Sequence, residues 1–158
     1  CITFYLMLQR EYLYASFAFA FGGFFDVIDG AVARYRKSDT KKGAYLDTMV
    51  DRVIEATIIF GFFFSSMSTF YLSLYEWLFI LLFGSMLSTY AKAASAEKGL
   101  GSVKGGVLEH ADRMIAYLVI ILLLAIRETF WASYLIMIIA ILAIFSALQR
   151  IVTAFSQA

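Results

Sequence analysis

Uncharged runs recur along the chain at Tyr12 to Phe25, Ala56 to Tyr75, Trp77 to Ala91, Met114 to Ile126 and Thr129 to Gln149, with charged residues confined to the gaps between them. A helix that crosses a bilayer needs about 20 mostly apolar residues. Two of the runs reach that length uninterrupted. The others reach it by accepting charges in their terminal turns, which places those turns against a polar cavity or the headgroup layer. The pattern predicts helices over 12–35, 43–65, 70–97, 106–126 and 130–152, preceded by the apolar segment Ile2 to Leu8. That segment lacks the basic flank and small-residue cleavage pattern of a signal peptide, so it reads as the tail of a first span. With the missing start of that span restored, the expectation is an all-α, polytopic membrane bundle of six transmembrane helices. A single transmembrane domain covers 1–158, with part of its first helix missing.

Composition supports this. The 158 residues are 62% hydrophobic and include no proline. No repeat of solenoid length is visible, and the connections are too short for a soluble domain. Gly99, Gly101, Gly105 and Gly106 mark a real break between two helices. One cysteine excludes a disulfide framework. The net charge of +1 conceals an asymmetry: Arg34, Arg36, Lys37, Lys41 and Lys42 crowd the first long connection, Lys98 and Lys104 the next on the same side, and Arg150 lies on that side too. Cytoplasmic loops carry the excess of Lys and Arg, so the basic side is expected to face the cytoplasm of a multi-pass cell-membrane protein. Membrane lipid is an expected partner; nucleic acid is not.

The chemistry is concentrated where the charge is most costly. Asp26, Asp29, Gly30 and Ala33 fall at i, i+3, i+4 and i+7 of one predicted helix, hence on one face. Gly43, Asp47 and Asp51 fall at i, i+4 and i+8 of the next. Two adjacent antiparallel helices turn these four carboxylates toward one point, and Gly30 and Gly43 leave room for a group to approach the backbone. A single aspartate at a helix end is more often a solvated cap or a partner of Arg36, Lys37, Lys41 or Lys42. Four at these spacings between membrane helices point to a functional site. Carboxylates hold hard divalent ions such as Mg²⁺ or Mn²⁺, which complete their shell with phosphate oxygens, and four aspartates suffice for two ions. Arg34 adds a planar donor suited to phosphate, and metal with arginine is apparatus for phosphoryl transfer. Arg52 and Glu55, at i and i+3, read as a structural ion pair.

The pattern Asp26-x2-Asp29-Gly30-x2-Ala33-Arg34-x8-Gly43-x3-Asp47-x3-Asp51 resembles, without a mismatch, the signature of the CDP-alcohol phosphotransferase family. That family is built on six transmembrane helices, with the signature on the second and third. The resemblance implies that an acceptor hydroxyl attacks the β-phosphorus of a CDP-alcohol, such as CDP-diacylglycerol or CDP-archaeol, to form a phosphodiester and release CMP. It implies Asp26, Asp29 and Asp47 as metal ligands and Asp51 as general base and further metal contact. The resemblance further implies that Asp29, Gly30, Ala33, Arg34 and Gly43 line the CDP site and that the enzyme is a homodimer.

Lys92, Lys104, His110 and Arg113 lie at the cytoplasmic ends of the fourth and fifth predicted helices and are candidates for binding the phosphate of an acceptor such as inositol phosphate or glycerol phosphate. The competing reading makes them interfacial cations that snorkel to anionic lipid. Members that make phosphatidylinositol phosphate carry a similar lysine followed by arginine, and Glu-Arg-x-x-Arg on the fifth helix. Lys92 and Arg113 match, whereas Ala94 and His110 stand where arginines are expected. Two rival functions use intramembrane carboxylates. An ion- or proton-coupled transporter is expected to show broken helices in paired repeats, and neither is visible. A Mg²⁺-dependent prenyltransferase resembles a larger bundle with its acidic motifs in separate halves.

Overall fold

The computed structural model describes residues 1–35, 40–67, 71–100 and 106–156, without the side chains of 33–35. Every regular element among them is a helix: α1 (Ile2–Leu8), α2 (Tyr12–Tyr35), α3 (Lys41–Phe62), α4 (Leu74–Glu97), α5 (His110–Ala125) and α6 (Thr129–Ser156). Six helices occur in the expected order, and α2 has the expected bounds.

Elsewhere the helix starts are set by local caps that the hydrophobic pattern does not register. Thr40 is extended and its Oγ1 accepts the Gly43 N–H at 3.0 Å, so α3 begins at Lys41 rather than 43. Ser73 and Glu76 satisfy each other's backbone N–H in a capping box, which starts α4 at Leu74 rather than 70. The Glu109 N–H donates to Asp112 Oδ2 at 2.9 Å, and α5 starts at His110 rather than 106. At the far end of α4, Gly99 takes φ 72°, a conformation that costs glycine little, and the chain turns out of the helix.

Helix α4 lies along α6; α5 packs on α6 and α2, and α3 on α1 and α4. Small residues allow the closest approach: a Cβ added at Gly84 on α4 would stand 2.9 Å from the Ile144 backbone nitrogen and 3.0 Å from the Ala143 carbonyl carbon on α6. The core is filled by Met7, Ile58, Phe62, Leu78, Tyr117 and Ile136, among others. Phe62 and Tyr117 meet edge to face at 6.1 Å.

By length and composition, α4, α6 and Tyr12–Val32 of α2 are the described helices able to cross a membrane. Helix α5 is 16 residues, about 24 Å at 1.5 Å per residue, and α3 carries Asp47, Asp51, Arg52 and Glu55 within its length. The polar halves of α2 and α3 are also the least covered. Residues 20–29 and 40–50 are exposed throughout, whereas α3 is buried from Glu55 at several positions onward. The acidic helix faces therefore open to the surroundings at one end of the bundle while the core closes behind them.

Candidate active site

Asp26 comes from α2, and Asp47 and Asp51 come from successive turns of α3. One carboxylate oxygen from each lies within 4.8 Å of the other two. Oxygen ligands around a Mg²⁺-sized ion stand about 2.1 Å from it, and three carboxylates grouped this closely from two helices are a donor set that could hold one divalent cation. Asp26 and Asp47 are exposed and Asp51 is half-buried. Asp29, one turn along α2, is exposed and lies outside the trio.

Behind Asp51, on the next turn of the same α3 face, stands Glu55, wholly buried. Four groups converge on its carboxylate. Arg113 Nε donates to Oε1 at 2.6 Å and Nη2 to Oε2 at 3.3 Å. The Tyr117 hydroxyl donates to Oε1 at 3.1 Å. Arg52 Nη1 lies 2.9 Å from Oε2 and donates to Thr89 Oγ1 on α4 at 2.8 Å. His110 Nδ1 lies 3.4 Å from Oε2, off the angle of a hydrogen bond, and is buried with no other partner among the described residues. A buried carboxylate is tolerable only with partners of this kind.

This buried group connects to the acidic trio through two side chains. His110 Nε2 lies 3.6 Å from Asp51 Oδ2, and Arg52 Nη2 lies 4.0 Å from the same oxygen. Arg52 and His110 therefore each span from Glu55 to Asp51.

The remaining sequence candidates are placed as follows. Gly30 is half-buried on α2; Gly43 is exposed in the first turn of α3, its N–H on Thr40. Ala33 and Arg34 lie on α2 with side chains outside the described set, and Lys104 lies outside the described residues altogether. Lys92 is exposed on α4, one turn past Thr89. Arg113 is 2% exposed, and its remaining donor Nη1 meets the Leu108 carbonyl at 3.3 Å. The Arg52–Glu55 pair expected from the sequence is present. The sequence reading gave Glu55 that one partner and did not single out Tyr117 or Thr89. A signal for Glu55 was available, because Gly43, Asp47, Asp51 and Glu55 continue a single i+4 series; His110, Arg113 and Tyr117 likewise share a face at i, i+3 and i+7.

Comparison with known proteins places this geometry among relatives. The family described as CDP-alcohol phosphatidyltransferase matches the chain over residues 1–154. The archaetidylinositol phosphate synthase of Pyrococcus horikoshii is 29% identical over 93% of this chain and 72% of its own length. That of Methanothermobacter thermautotrophicus is 32% identical over 84% of this chain and 65% of its own. Among solved structures, the Mycobacterium tuberculosis phosphatidylinositol phosphate synthase in complex with manganese and citrate shares the fold, with a TM-score of 0.81 at 24% identity over 98% of this chain and 75% of that chain. The same enzyme with CDP-DAG bound superposes equally well, with a TM-score of 0.81.

Proposed function

This chain belongs to the CDP-alcohol phosphatidyltransferase family, and we propose that its acceptor is a phosphorylated polyol, inositol phosphate, and its donor a CDP-linked diacyl or isoprenoid-ether glycerol lipid. The family membership makes it a membrane transferase of phospholipid biosynthesis and removes the transporter and prenyltransferase alternatives. The acceptor rests on the names of its relatives, which are inositol phosphate lipid synthases.

The observation that carries the mechanism is the convergence of Asp26, Asp47 and Asp51 within 4.8 Å at the open end of the bundle. In this reading Asp26, Asp29, Asp47 and Asp51 hold Mg²⁺ or Mn²⁺, two ions in all. Bound there, the ions would neutralise the diphosphate and the charge that develops on the leaving group. Gly30, Ala33, Arg34 and Gly43 accommodate CDP, with Arg34 directed at its diphosphate. Asp51 takes the proton of the acceptor hydroxyl as that oxygen bonds to the β-phosphorus and the bond to the CMP oxygen breaks. Of the acceptor-side candidates, Lys92 is exposed on α4 and available to an anion, His110 stands at the start of α5, and Lys104 is kept on its place in the sequence alone. Arg113, bound to Glu55, shapes that wall from behind. The site faces the cytoplasm in this reading, on the basic side of the chain, and the enzyme is a homodimer.

The test is CMP release by purified protein with Mg²⁺ or Mn²⁺, across a panel of CDP-lipids and polyol phosphates. Metal-dependent CMP release with inositol phosphate is the expected outcome. No CMP from any pair overturns the reaction, and release only with another alcohol overturns the acceptor.

A further inference from the structure

Asp51 has two carboxylate oxygens, and both of its neighbours in the buried group approach the same one. His110 Nε2 is 3.6 Å and Arg52 Nη2 4.0 Å from Oδ2. Each neighbour also faces Glu55 Oε2, which lies 3.4 Å from His110 Nδ1 and 2.9 Å from Arg52 Nη1. Glu55 is itself immobilised: its other oxygen takes Arg113 Nε at 2.6 Å and the Tyr117 hydroxyl at 3.1 Å, and the whole side chain is buried. Asp51, by contrast, is half-buried on a stretch of α3 whose preceding turns are exposed. A carboxylate at the edge of so open a stretch turns about its side-chain bonds unless a neighbouring group fixes it. Outer partners that orient a ligand in this way typically change metal affinity or activity by about 10- to 100-fold when removed.

We propose that Glu55 is a positioning residue for the transfer reaction, acting through His110 and Arg52 on Oδ2 of Asp51 and so fixing the direction in which that carboxylate faces Asp26 and Asp47. Glu55 is too deep to touch either substrate. Its neutralisation of Arg52 and Arg113 is a structural service that any buried carboxylate would give. What distinguishes positioning is that both bridges end on one oxygen of the reacting residue. The inference rests on the proposed function, because it concerns how that site is aligned.

The test uses the full chain in detergent or nanodiscs, with Mn²⁺ binding followed by electron paramagnetic resonance beside the kinetics of CMP release. Glu55→Gln and His110→Ala are each expected to weaken Mn²⁺ binding and lower kcat by about tenfold or more, with the donor KM within about twofold. In an Asp51→Asn background the same two changes are expected to leave Mn²⁺ affinity unaltered, since the residue they align is gone. A merely structural role predicts the same loss with Asp51 present or absent, and that result overturns the proposal. So does unchanged Mn²⁺ affinity in folded His110→Ala, which leaves no buried carboxylate unpaired and keeps the test open if Glu55→Gln does not fold. An unmodified chain without metal-dependent CMP release overturns the proposed function and this inference with it; an active one with indifferent variants overturns this inference alone.

Discussion

Arg113 and Glu55, 58 residues apart in the chain, meet as a buried two-pronged pair, Nε to Oε1 at 2.6 Å and Nη2 to Oε2 at 3.3 Å. The guanidinium fork matches the carboxylate, and with Arg113 2% and Glu55 0% exposed, almost no solvent is at hand to replace a lost partner.

Removing one member of such a pair leaves the other charge buried and uncompensated. Arg113→Ala is expected to destabilise the protein by about 3–5 kcal/mol, the range for breaking a buried pair, with loss of cooperative thermal unfolding in detergent. Arg113→Lys keeps the charge but not the fork, and an intermediate melting temperature is expected. Replacement of Arg113 is therefore expected to lower the yield of folded protein before it alters the acceptor KM.

Lys92 is the cleaner probe of the acceptor. It is exposed on α4, and its truncation removes no core contact. A charged hydrogen bond contributes about 1.5–3 kcal/mol, so Lys92→Ala is expected to raise the KM for the phosphorylated acceptor by about 10- to 100-fold at unchanged donor KM and melting temperature. Steady-state CMP release with each substrate varied in turn measures both, and equal effects on the two KM values would remove Lys92 from the acceptor side.

Asp51→Asn keeps the shape of the side chain and removes its basicity. A positioned general base contributes about 10²- to 10⁴-fold, and a loss in kcat of that order is expected in the CMP assay. Chelation of divalent ions is expected to abolish turnover, with restoration by Mg²⁺ or Mn²⁺. Full activity in either case would remove the acidic trio from the chemistry.

The α4–α6 contact offers a test of packing away from the site. A methyl at Gly84 meets α6 backbone at 2.9 Å, and backbone in a packed helix does not yield. Gly84→Ala is expected to cost about 1–3 kcal/mol, as overpacking does, read as a lowered melting temperature. Gly22 and Gly23 on α2 have open space at the same position. Alanine there is expected to be neutral or stabilising by up to about 1 kcal/mol through helix propensity.

The periodicity of charge and apolarity was enough to determine the helices and the candidate metal ligands, because both are local properties. Residues at i, i+3 and i+4 share a helix face whatever surrounds them, so the four aspartates and the Arg52–Glu55 pair could be aligned on the page. The first turns of α3, α4 and α5 escaped that reading because their caps, Thr40 Oγ1 on the Gly43 N–H, the Ser73–Glu76 box and Asp112 on the Glu109 N–H, are local hydrogen bonds that hydropathy does not register. Only the tertiary structure decided which cation meets which carboxylate. Arg113 belongs by spacing with the acceptor-side candidates and by geometry with Glu55, and that choice depends on the fold bringing the Arg113 and Tyr117 side chains of α5 to Glu55 of α3. A buried charge takes the partner that folding brings within reach, and for Glu55 those partners lie as far as 62 residues along the chain. Asp51 links the two levels: its place in the i+4 series is written in the sequence, whereas the approach of His110 to its Oδ2 exists only once α5 stands beside α3.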